Sequence, residues 1–225
     1  MLENVQIRPD FGPKVKVCGM RMAENIQAAK YLPIQFMGFI FYEPSSRFVE
    51  QYGKPDFNFS ILNHWNIRKV GVFVNASVDY ILEKKKEYGL DYVQLHGEEN
   101  VFFCQKLKKK HVRIIKAFAV DNDFNFSDTR PFEFYCDFFL FDTKGALPGG
   151  NGVPFDWNLL QEYKGSVPFL LGGGISPESV DAIQQIEHPQ FYAVDLNSRF
   201  ESEPGLKETE QIRDFLDALR SDLNH

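Results

Sequence analysis

The stretch that decides the fold runs DYVQLHGEENVFFCQKLKKKHVRIIKAFAV from residue 91 to residue 120. Its two ends, Tyr92–Leu95 and Arg113–Phe118, are short runs rich in β-branched and aromatic residues, which favour β-strands. The segment between them has helical periodicity and closes with Lys108–Lys110, where cations suit the negative end of a helix dipole. Residues 91–120 therefore predict one βαβ unit, with two parallel strands joined by a crossover helix.

The same alternation extends in both directions along the chain and gives eight candidate strands. They are predicted at Val15–Val17, Phe36–Phe41, Lys69–Val74, Tyr92–Leu95, Arg113–Phe118, Phe138–Phe141, Phe169–Leu171 and Tyr192–Asp195. Eight right-handed crossovers can close a parallel sheet on itself, and 225 residues lie within the roughly 200 to 250 of a compact barrel. We therefore expect an α/β fold, a single-domain (β/α)8 TIM barrel over residues 1–225, with residues 1–13 as an N-terminal extension.

A doubly wound open sheet is the main alternative fold. Such a sheet usually carries a glycine-rich turn after its first strand, whereas the turn here begins with Cys18 and Gly19, and the chain contains no GxGxxG motif. The closed barrel is therefore favoured.

The signals for helix ends are clear in two places and weak in two others. Ser77 is placed to cap a helix that Gly89 ends, and Ser176 followed by Pro177 is typical of a helix start. The stretches 50–65 and 121–133 are interrupted by Gly, Pro, Asp and Asn. We expect these two to be irregular or mostly loop.

The composition excludes several classes of function. A net charge of −6 argues against general binding to nucleic acid or anionic membranes, which requires a broad basic surface. The sequence has no signal-peptide pattern and no 18-residue apolar run, which argues against secretion and against membrane spanning. The three cysteines include no CxxC pair, which argues against a disulfide framework and against a thiolate zinc site. They fit a reducing cytoplasm. The lysine runs at 84–86 and 108–110 are interpreted as solvated faces.

In barrels of this kind, function collects at the carboxyl ends of the strands and in the loops that follow them. Polar or glycine-rich positions follow most of the predicted strands and are the ones to inspect. They are Cys18, Arg47, Asn75, His96, Asp142, Gly172–Gly174, Asp195 and Asn197–Ser198.

The glycine run after the seventh strand predicts part of a phosphate site. Its backbone N–H groups can approach an anion, and the proline-initiated helix that follows presents its N-terminus. Asn197 and Ser198 after the eighth strand would supply the other part, because barrels often bind phosphate with these two loops together. A triple glycine is also found in ordinary tight turns, and its placement after the seventh strand favours the phosphate interpretation.

Cys18 and Asp142 are the candidates for acid–base work. Cys18 ends the first strand, and cationic neighbours or backbone dipoles would favour its thiolate and make it a base. Asp142 follows an apolar strand whose aromatic surface would desolvate it, which favours the protonated form expected of a general acid. The plainer alternatives are a small buried hydrophobic residue for Cys18, and a helix cap or an ion-pair partner of Lys144 for Asp142.

Motifs throughout the region from Lys14 to about Phe215 resemble those of the phosphoribosylanthranilate isomerase family. Their order and spacing make the likeness specific. They are Lys16-Val-Cys-Gly-Met20, Gly38-Phe-Ile-Phe-Tyr42, Ser45-Ser-Arg-Phe48, Gly71-Val-Phe-Val-Asn75, Val93-Gln-Leu-His-Gly97, Asp142-Thr143, Gly149-Gly-Asn-Gly152, Phe155-Asp-Trp157, Gly173-Gly174 and Val194-Asp195.

The resemblance implies a reaction and the residues that perform it. The family carries out an Amadori rearrangement of N-(5-phosphoribosyl)anthranilate in tryptophan biosynthesis, which opens the ribose ring and moves a double bond to give an enol that becomes the 1-deoxyribulose product. By this resemblance, Asp142 protonates the ring oxygen as general acid and Cys18 removes the proton from sugar C2 as general base. No metal or organic cofactor is implied.

The resemblance also implies how the substrate is bound. Arg47 would hold the anthranilate carboxylate, and Asp195 would steady the amine or an adjacent backbone. His96 is expected to be a hydrogen-bonded core group. Whether the chain is a monomer or a homodimer is left open. The residues expected to bind the phosphate are Gly173, Gly174, Asn197 and Ser198.

Two positions depart from the family pattern. Many members read Ser-Ser-Gly after the last strand where this chain reads Asn197-Ser198-Arg199, so a bulky cation replaces a glycine near the phosphate. Arg199 either pairs with the phosphate or projects into solvent. Asn151 stands where Thr or Ser is common.

Two further interpretations remain open from the sequence. The first is another phosphate-binding barrel enzyme, either a metal-dependent sugar-phosphate epimerase, which needs more His and Asp ligands than His96 supplies, or an indole-glycerol-phosphate synthase, which Lys16 and Lys116 would suit. The second is a non-catalytic barrel that binds a sugar phosphate, which fold alone cannot exclude. Tight binding of an analogue without turnover would identify that case.

Overall fold

The barrel predicted from the sequence is present. The computed structural model describes residues 12–145 and 155–221, and eight strands within them form one closed, all-parallel barrel in chain order. Every predicted strand is confirmed, with ends shifted by two residues at most. The strands are β1 (Lys14–Val17), β2 (Phe36–Ile40), β3 (Arg68–Phe73), β4 (Tyr92–Leu95), β5 (Ile114–Val120), β6 (Phe138–Thr143), β7 (Phe169–Leu171) and β8 (Phe191–Leu196).

Some of the sequence-based expectations concern segments outside this description. Most of the expected N-terminal extension, residues 1–11, lies outside the described residues. The Gly149–Gly152 motif and the departure at Asn151 lie outside them as well.

The first and last strands close the barrel against each other. β1 pairs with β8 in a register that places Lys16 opposite Asp195, and pairs on its other side with β2. Because side chains alternate along a strand, Lys16 and Cys18 share the inner side of the barrel wall. The closure therefore brings the first and the last strand of the barrel together at one point of the mouth.

The amino ends of the strands are closed by a layer of four aromatic rings. These rings come from the alternate strands β2, β4, β6 and β8, and neighbouring centroids lie 4.8 to 6.2 Å apart. Layers built from alternate strands are the usual filling of such barrels. The layer makes this end a packed core and leaves the carboxyl end for a site. Its members are Phe36, Tyr92, Phe138 and Tyr192.

The outer layer is only partly α-helical. The α-helices are α1 (Ala23–Ala29), α2 (Val78–Tyr88), α3 (Val101–Lys108), α4 (Val180–Gln184) and α5 (Thr209–Ser221), and 3-10 helices occupy Phe59–Trp65, Phe126–Phe132, Trp157–Glu162, Pro177–Ser179 and Ser198–Phe200. The predicted ends of α2 are confirmed, since Ser77 accepts a hydrogen bond from the backbone of Tyr80 and Gly89 has a φ of 61°. The two stretches with weak helical signals contain only 3-10 helix, as their breakers indicate.

An antiparallel hairpin that the sequence did not predict follows β8. Its strands are β9 (Glu201–Glu203) and β10 (Leu206–Lys207), joined by a turn in which Gly205 has a φ of 87°. These strands are too short for a recognisable alternation of apolar and polar residues. The hairpin places two buried charged side chains beside the barrel mouth.

One expectation about surface charge was wrong. Lys84 does not lie on a solvated face, because it is buried and forms ion pairs with Glu50 at 2.7 Å and Glu87 at 2.9 Å. The long apolar stem of lysine allows such burial when acidic partners hold the ammonium. None of the helices in residues 12–145 and 155–221 is long and apolar enough to cross a membrane.

Candidate active site

The carboxyl ends of the strands line a cavity that is open to solvent, with about 750 Å³ of empty space when its open mouth is included. Its wall joins apolar side chains of β2 and β3, such as Ile40 and Val72, to polar groups from the other strands and loops. Every residue predicted for the site lies in this wall: Cys18, Arg47, Asp142, Gly173, Gly174, Asp195, Asn197 and Ser198.

Two other strand-end candidates behave differently from each other. His96 lines the cavity, although we expected a core group. Asn75 does not line it. Its backbone N–H donates to Glu99 at 2.8 Å and its side-chain oxygen accepts from the backbone of Glu98 at 2.8 Å. Asn75 therefore orders the loop after β4 and makes no part of the wall.

Cys18 occupies a space that a glycine on the next strand leaves open. Its backbone N–H donates to Leu196 at 2.9 Å, which anchors it directly after β1. A Cβ atom built on Gly38 of β2 would lie 2.7 Å from the Cys18 sulfur. Glycine at position 38 is therefore what allows the thiol to lie in the wall.

Lys16 and Asp195 form a buried ion pair next to this thiol. Lys16 Nζ donates to Asp195 Oδ2 at 2.7 Å, while Asp195 Oδ1 has no hydrogen-bond partner among the described residues. Burial alone would lower the pKa of Lys16, but Asp195 and Cys18 outweigh burial and raise it. Burial raises the pKa of the Cys18 thiol, and the Lys16 ammonium opposes that rise without cancelling it. A cation is therefore fixed beside a thiol whose surroundings otherwise favour its neutral form.

The second inward lysine, Lys116 on β5, lies outside the cavity wall. Its Nζ donates to the carbonyl of Gly97 at 2.7 Å and lies 3.4 Å from Glu99. Burial lowers the pKa of Lys116. Lys16 and Lys116 are both held by acidic partners, so neither presents a free amine to the cavity as the synthase interpretation would require.

Asp142 on β6 is not the isolated carboxyl that we expected from its apolar strand. Its Oδ2 lies 3.1 Å from Nε2 of His96, and its side chain is 14% exposed. The other ring nitrogen, Nδ1, lies 2.9 Å from Nε2 of Gln94. Lys144, the alternative partner of Asp142, pairs instead with Asp121 at 2.5 Å. Gln94, His96 and Asp142 therefore form one chain of polar contacts within the cavity wall.

Arg47 enters the cavity from the loop after β2 and is held by the hairpin. Its Nε donates to Glu201 at 2.7 Å, and its Nη2 pairs with the same carboxylate. Lys207 also pairs with Glu201, at 2.7 Å, and donates to the side chain of Asn197 at 2.7 Å. Burial would raise the pKa of Glu201, but the two cations outweigh it and lower the pKa. This network links the Arg47 guanidinium to the loop after β8.

The glycines after β7 adopt conformations that other residues rarely take. Gly173 has a φ of 79° and Gly174 a φ of 75°. A Cβ built on Gly173 would lie 2.2 Å from the backbone nitrogen of Thr143. The helix that follows is only a 3-10 turn and the five-residue α4, so backbone N–H groups, more than a helix dipole, are what this loop offers an anion. Arg199 is exposed and lies outside the cavity wall.

Three residues of the site could not be recognised from the sequence. Glu201 and Lys207 follow the last strand of the barrel in a segment without periodicity, and Lys16 was considered only as a catalytic amine. Their roles depend on contacts between distant parts of the chain, such as the pairing of Arg47 with Glu201. A polar residue after a strand is visible in a sequence, but its partner is not.

Comparison with known proteins gives a consistent result. The family model described as N-(5'-phosphoribosyl)anthranilate (PRA) isomerase matches residues 15–218. A relative from Parabacteroides distasonis named N-(5'-phosphoribosyl)anthranilate isomerase is 45% identical over 205 residues, which cover 91% of this chain and 92% of the relative.

Solved structures agree with the sequence comparison. A phosphoribosylanthranilate isomerase from Thermotoga maritima, described as monomers generated from a dimeric enzyme, has a TM-score of 0.75 at 28% identity, with 92% of this chain and 98% of that chain covered. A phosphoribosylanthranilate isomerase in complex with reduced 1-(o-carboxyphenylamino)-1-deoxyribulose 5-phosphate has a TM-score of 0.73 at 28% identity, with 93% and 99% covered.

Proposed function

Since the chain belongs to the N-(5'-phosphoribosyl)anthranilate isomerase family, we propose how its residues divide the work of that reaction. The enzyme isomerises N-(5-phosphoribosyl)anthranilate to 1-(2-carboxyphenylamino)-1-deoxyribulose 5-phosphate in tryptophan biosynthesis. The reaction needs an acid at the ring oxygen and a base at C2. The observation that carries the assignment is that Cys18 and Asp142, from strands β1 and β6, line the same cavity.

Asp142 acts as the general acid and Cys18 as the general base. Asp142 gives its proton to the ring oxygen as the bond from that oxygen to C1 breaks, which leaves a double bond between C1 and the amine nitrogen. The Cys18 thiolate then takes the proton from C2, the electrons of that C–H bond form the C1–C2 double bond of the enol, and the electrons of the C1–N double bond return to the nitrogen. The enol becomes the ketone product. The Lys16 ammonium beside Cys18 supports this role because it favours the thiolate.

Arg47 binds the anthranilate carboxylate. Its Nε and Nη2 are engaged by Glu201, which leaves Nη1 without a hydrogen-bond partner among the described residues. A guanidinium fixed in this way offers its remaining donors in a set direction, which suits a planar carboxylate.

The phosphate and the amine are assigned to the loops after β7 and β8. Gly173 and Gly174 have positive φ angles and line the same cavity as Asn197 and Ser198, which supports a phosphate position between these two loops. The Asp195 Oδ1 atom, buried and unpaired in the described residues, is available to accept a hydrogen bond from the substrate amine.

We also propose the setting in which the enzyme works. Its partner is a phosphorylated small molecule, with no role for nucleic acid or membrane, consistent with a net charge of −6. Free thiols at Cys18, Cys104 and Cys136 favour a reducing cytoplasm. The assembly is either a monomer or a homodimer, and sedimentation velocity distinguishes the two.

The decisive test follows the loss of anthranilate fluorescence in a coupled assay that generates the substrate in place, with and without a metal chelator. Asp142→Asn should lower kcat by about 10²-fold or more, the usual scale for removal of a positioned acid. Asp128→Asn makes the same chemical change at an exposed position outside the cavity and should have no effect. Near-normal turnover by Asp142→Asn would overturn the acid assignment, and inhibition of the wild type by the chelator would contradict a cofactor-free reaction.

A further inference from the structure

Gln94 is a polar side chain in the middle of a buried strand, and the reaction described above gives it no task. It is 1% exposed and lies on β4 two residues before His96, so both side chains face the interior of the barrel. Burial of a carboxamide is unfavourable unless its groups are hydrogen-bonded. Its nitrogen lies 2.9 Å from Nδ1 of His96, and its Oε1 has no partner among the described residues. The contact with His96 is therefore the interaction that this side chain makes.

This contact determines where the imidazole carries its proton. A carboxamide nitrogen can only donate hydrogen bonds, so Nδ1 of His96 must be the acceptor. A neutral imidazole then carries its proton on Nε2. Nε2 lies 3.1 Å from Asp142 Oδ2 and donates to it. With Oδ2 occupied by this donor, the proton that Asp142 delivers in its proposed role as general acid would be carried by the other oxygen, Oδ1.

The oxygen that this arrangement leaves for the reaction belongs to a residue of the cavity wall. It lies beside the start of the loop after β7, since a Cβ built on Gly172 would lie 3.4 Å from Asp142 Oδ1, an ordinary contact distance.

We propose that Gln94 is a positioning residue for the isomerase reaction, holding His96 in its Nε2–H tautomer so that His96 orients the Asp142 carboxyl with Oδ1 toward the substrate. The proposal rests on the proposed role of Asp142 as general acid. Neither Gln94 nor His96 exchanges a proton with the substrate. Their contribution is geometric, and misplacement of a catalytic group by about 1 Å can cost on the order of 10²-fold in rate.

The first test observes the tautomer directly. The unliganded enzyme is labelled with ¹⁵N in its five histidines, and two-bond proton–nitrogen correlation spectra are recorded at about pH 8, where an ordinary imidazole is neutral. His96→Gln identifies the His96 signals by their loss. The pattern expected for His96 is a protonated Nε2 and an unprotonated Nδ1. A protonated Nδ1 would overturn the proposal, whatever the role of Asp142.

The second test changes the donor. Gln94→Glu has nearly the same shape, but its carboxylate can only accept, so it should move the imidazole proton to Nδ1 or add a second one there. Gln94→Met keeps the size and removes both polar groups, and it serves if the buried carboxylate prevents folding. Each folded variant should show an altered His96 spectrum and a kcat lowered about 10- to 100-fold, with KM changed little. Gln105→Glu, the same change on α3 outside the cavity wall, should alter neither.

The third test asks whether Gln94 acts through His96. In His96→Gln a carboxamide nitrogen takes over the donor position near Asp142 and no longer depends on a tautomer. His96→Gln should therefore retain more activity than His96→Ala, and Gln94→Glu added to His96→Gln should have much less effect than in the wild type. Additive losses in the double variant would contradict the proposal. An inactive Asp142→Asn together with additive losses would leave the acid assignment standing and remove only the positioning role.

Discussion

At the scale of single residues, the proposed base is held in surroundings that oppose its own ionisation. The Cys18 thiol is buried, and burial raises its pKa, while the Lys16 ammonium acts in the opposite direction. A thiolate in this setting needs a cation held close to it, because the stabilising interaction between the two charges weakens when the cation moves into solvent. The pairing of Lys16 with Asp195 at 2.7 Å provides that fixation.

Removal of the thiol tests the base assignment itself. Cys18→Ala should lower kcat by about 10²-fold or more, with less change in KM, because the proton at C2 has lost its acceptor while the binding groups remain. Steady-state kinetics in the fluorescence assay measure both constants. Cys104→Ala, which removes a buried thiol outside the cavity wall, is the control and should keep kcat unchanged.

Removal of the cation tests its effect on ionisation. Lys16→Met should raise the pKa of Cys18 further, so the thiolate fraction at a given pH falls and the rise of kcat with pH moves to higher pH. The loss of kcat at pH 7 should stay below the roughly 10²-fold expected for removing the base. Iodoacetamide alkylation of Cys18, followed by mass spectrometry across pH, measures the thiolate without reference to turnover. An unchanged alkylation profile would show that Lys16 has no part in activating the thiol.

The residues of the site could be predicted from sequence only in part. Cys18 and Asp142 were recognisable because each follows or ends a strand in a fold whose sites lie at strand ends. The contacts that set their chemistry were not recognisable, since His96 contacts Asp142 from another strand and Lys16 pairs with Asp195 near the end of the chain. Local patterns identify candidate groups, whereas pKa values depend on neighbours that only the fold supplies.

At the scale of elements, the hairpin β9–β10 extends the barrel wall. Its Glu201 carboxylate joins Arg47, from the loop after β2, to Lys207 on the same hairpin. Removal of one partner from a buried ion pair strongly destabilises a protein, because the remaining charge is left without compensation. The hairpin therefore fixes Arg47, the proposed carboxylate-binding residue, which belongs to a distant loop.

This predicts a pH-dependent loss of stability in Glu201→Gln. The variant should be less stable by roughly 3 kcal/mol at neutral pH, because the buried Lys207 and the partly buried Arg47 lose their shared partner. The pKa of Glu201 is lowered in the folded protein, so its stabilisation is fully present above its ordinary pKa of 4.5 and is lost as pH falls through the lowered value. Urea unfolding of both proteins between about pH 3 and 7 should show the difference shrinking toward acid. Ser202→Ala on the same hairpin is the control, and a difference independent of pH would contradict the charge argument.

The strands were easier to predict than the elements between them. Their short β-branched and aromatic runs are continuous because both faces of a parallel barrel are buried. The connection from 50 to 65 lacks a regular apolar stripe and forms only a 3-10 helix at Phe59–Trp65. The hairpin strands are two or three residues long and carry no periodicity that a sequence could display.

At the scale of the whole molecule, the two ends of the barrel have separate tasks. The aromatic layer fills the amino end, and the cavity occupies the carboxyl end, with strand β6 running from one to the other. Phe138 and Asp142 lie at opposite ends of this strand. Different residues therefore stabilise the barrel and carry the proposed chemistry.

A pair of changes on β6 tests this separation. Phe138→Ala should lower the free energy of unfolding by about 3 to 5 kcal/mol, the usual cost of removing a buried aromatic ring, while kcat per folded molecule changes little. Asp142→Asn should do the reverse, with a large loss of kcat and a small change in stability. Denaturant unfolding and active-site-normalised kinetics measure the two effects. A large loss of kcat in folded Phe138→Ala would show that the two ends are mechanically coupled.

The barrel as a whole could be predicted because eight strand signals in the expected order leave few other topologies. The register in which β1 pairs with β8 could not be predicted, since it joins segments that share no local pattern. The pairing of Lys16 with Asp195 across β1 and β8 is one such contact.

The closure of the barrel by β1 and β8 also affects when the site can form during synthesis of the chain. Lys16 and Asp195 are separated by 179 positions, and a ribosome makes chains from the N-terminus at about 5 to 20 residues per second. Cys18 and Lys16 are therefore synthesised among the first residues, and Lys16 has no ion-pair partner at Asp195 until nearly the entire chain has followed. A chain interrupted before β8 lacks both Asp195 and the strand that pairs with β1, so the proposed site is complete only when the whole ring has formed.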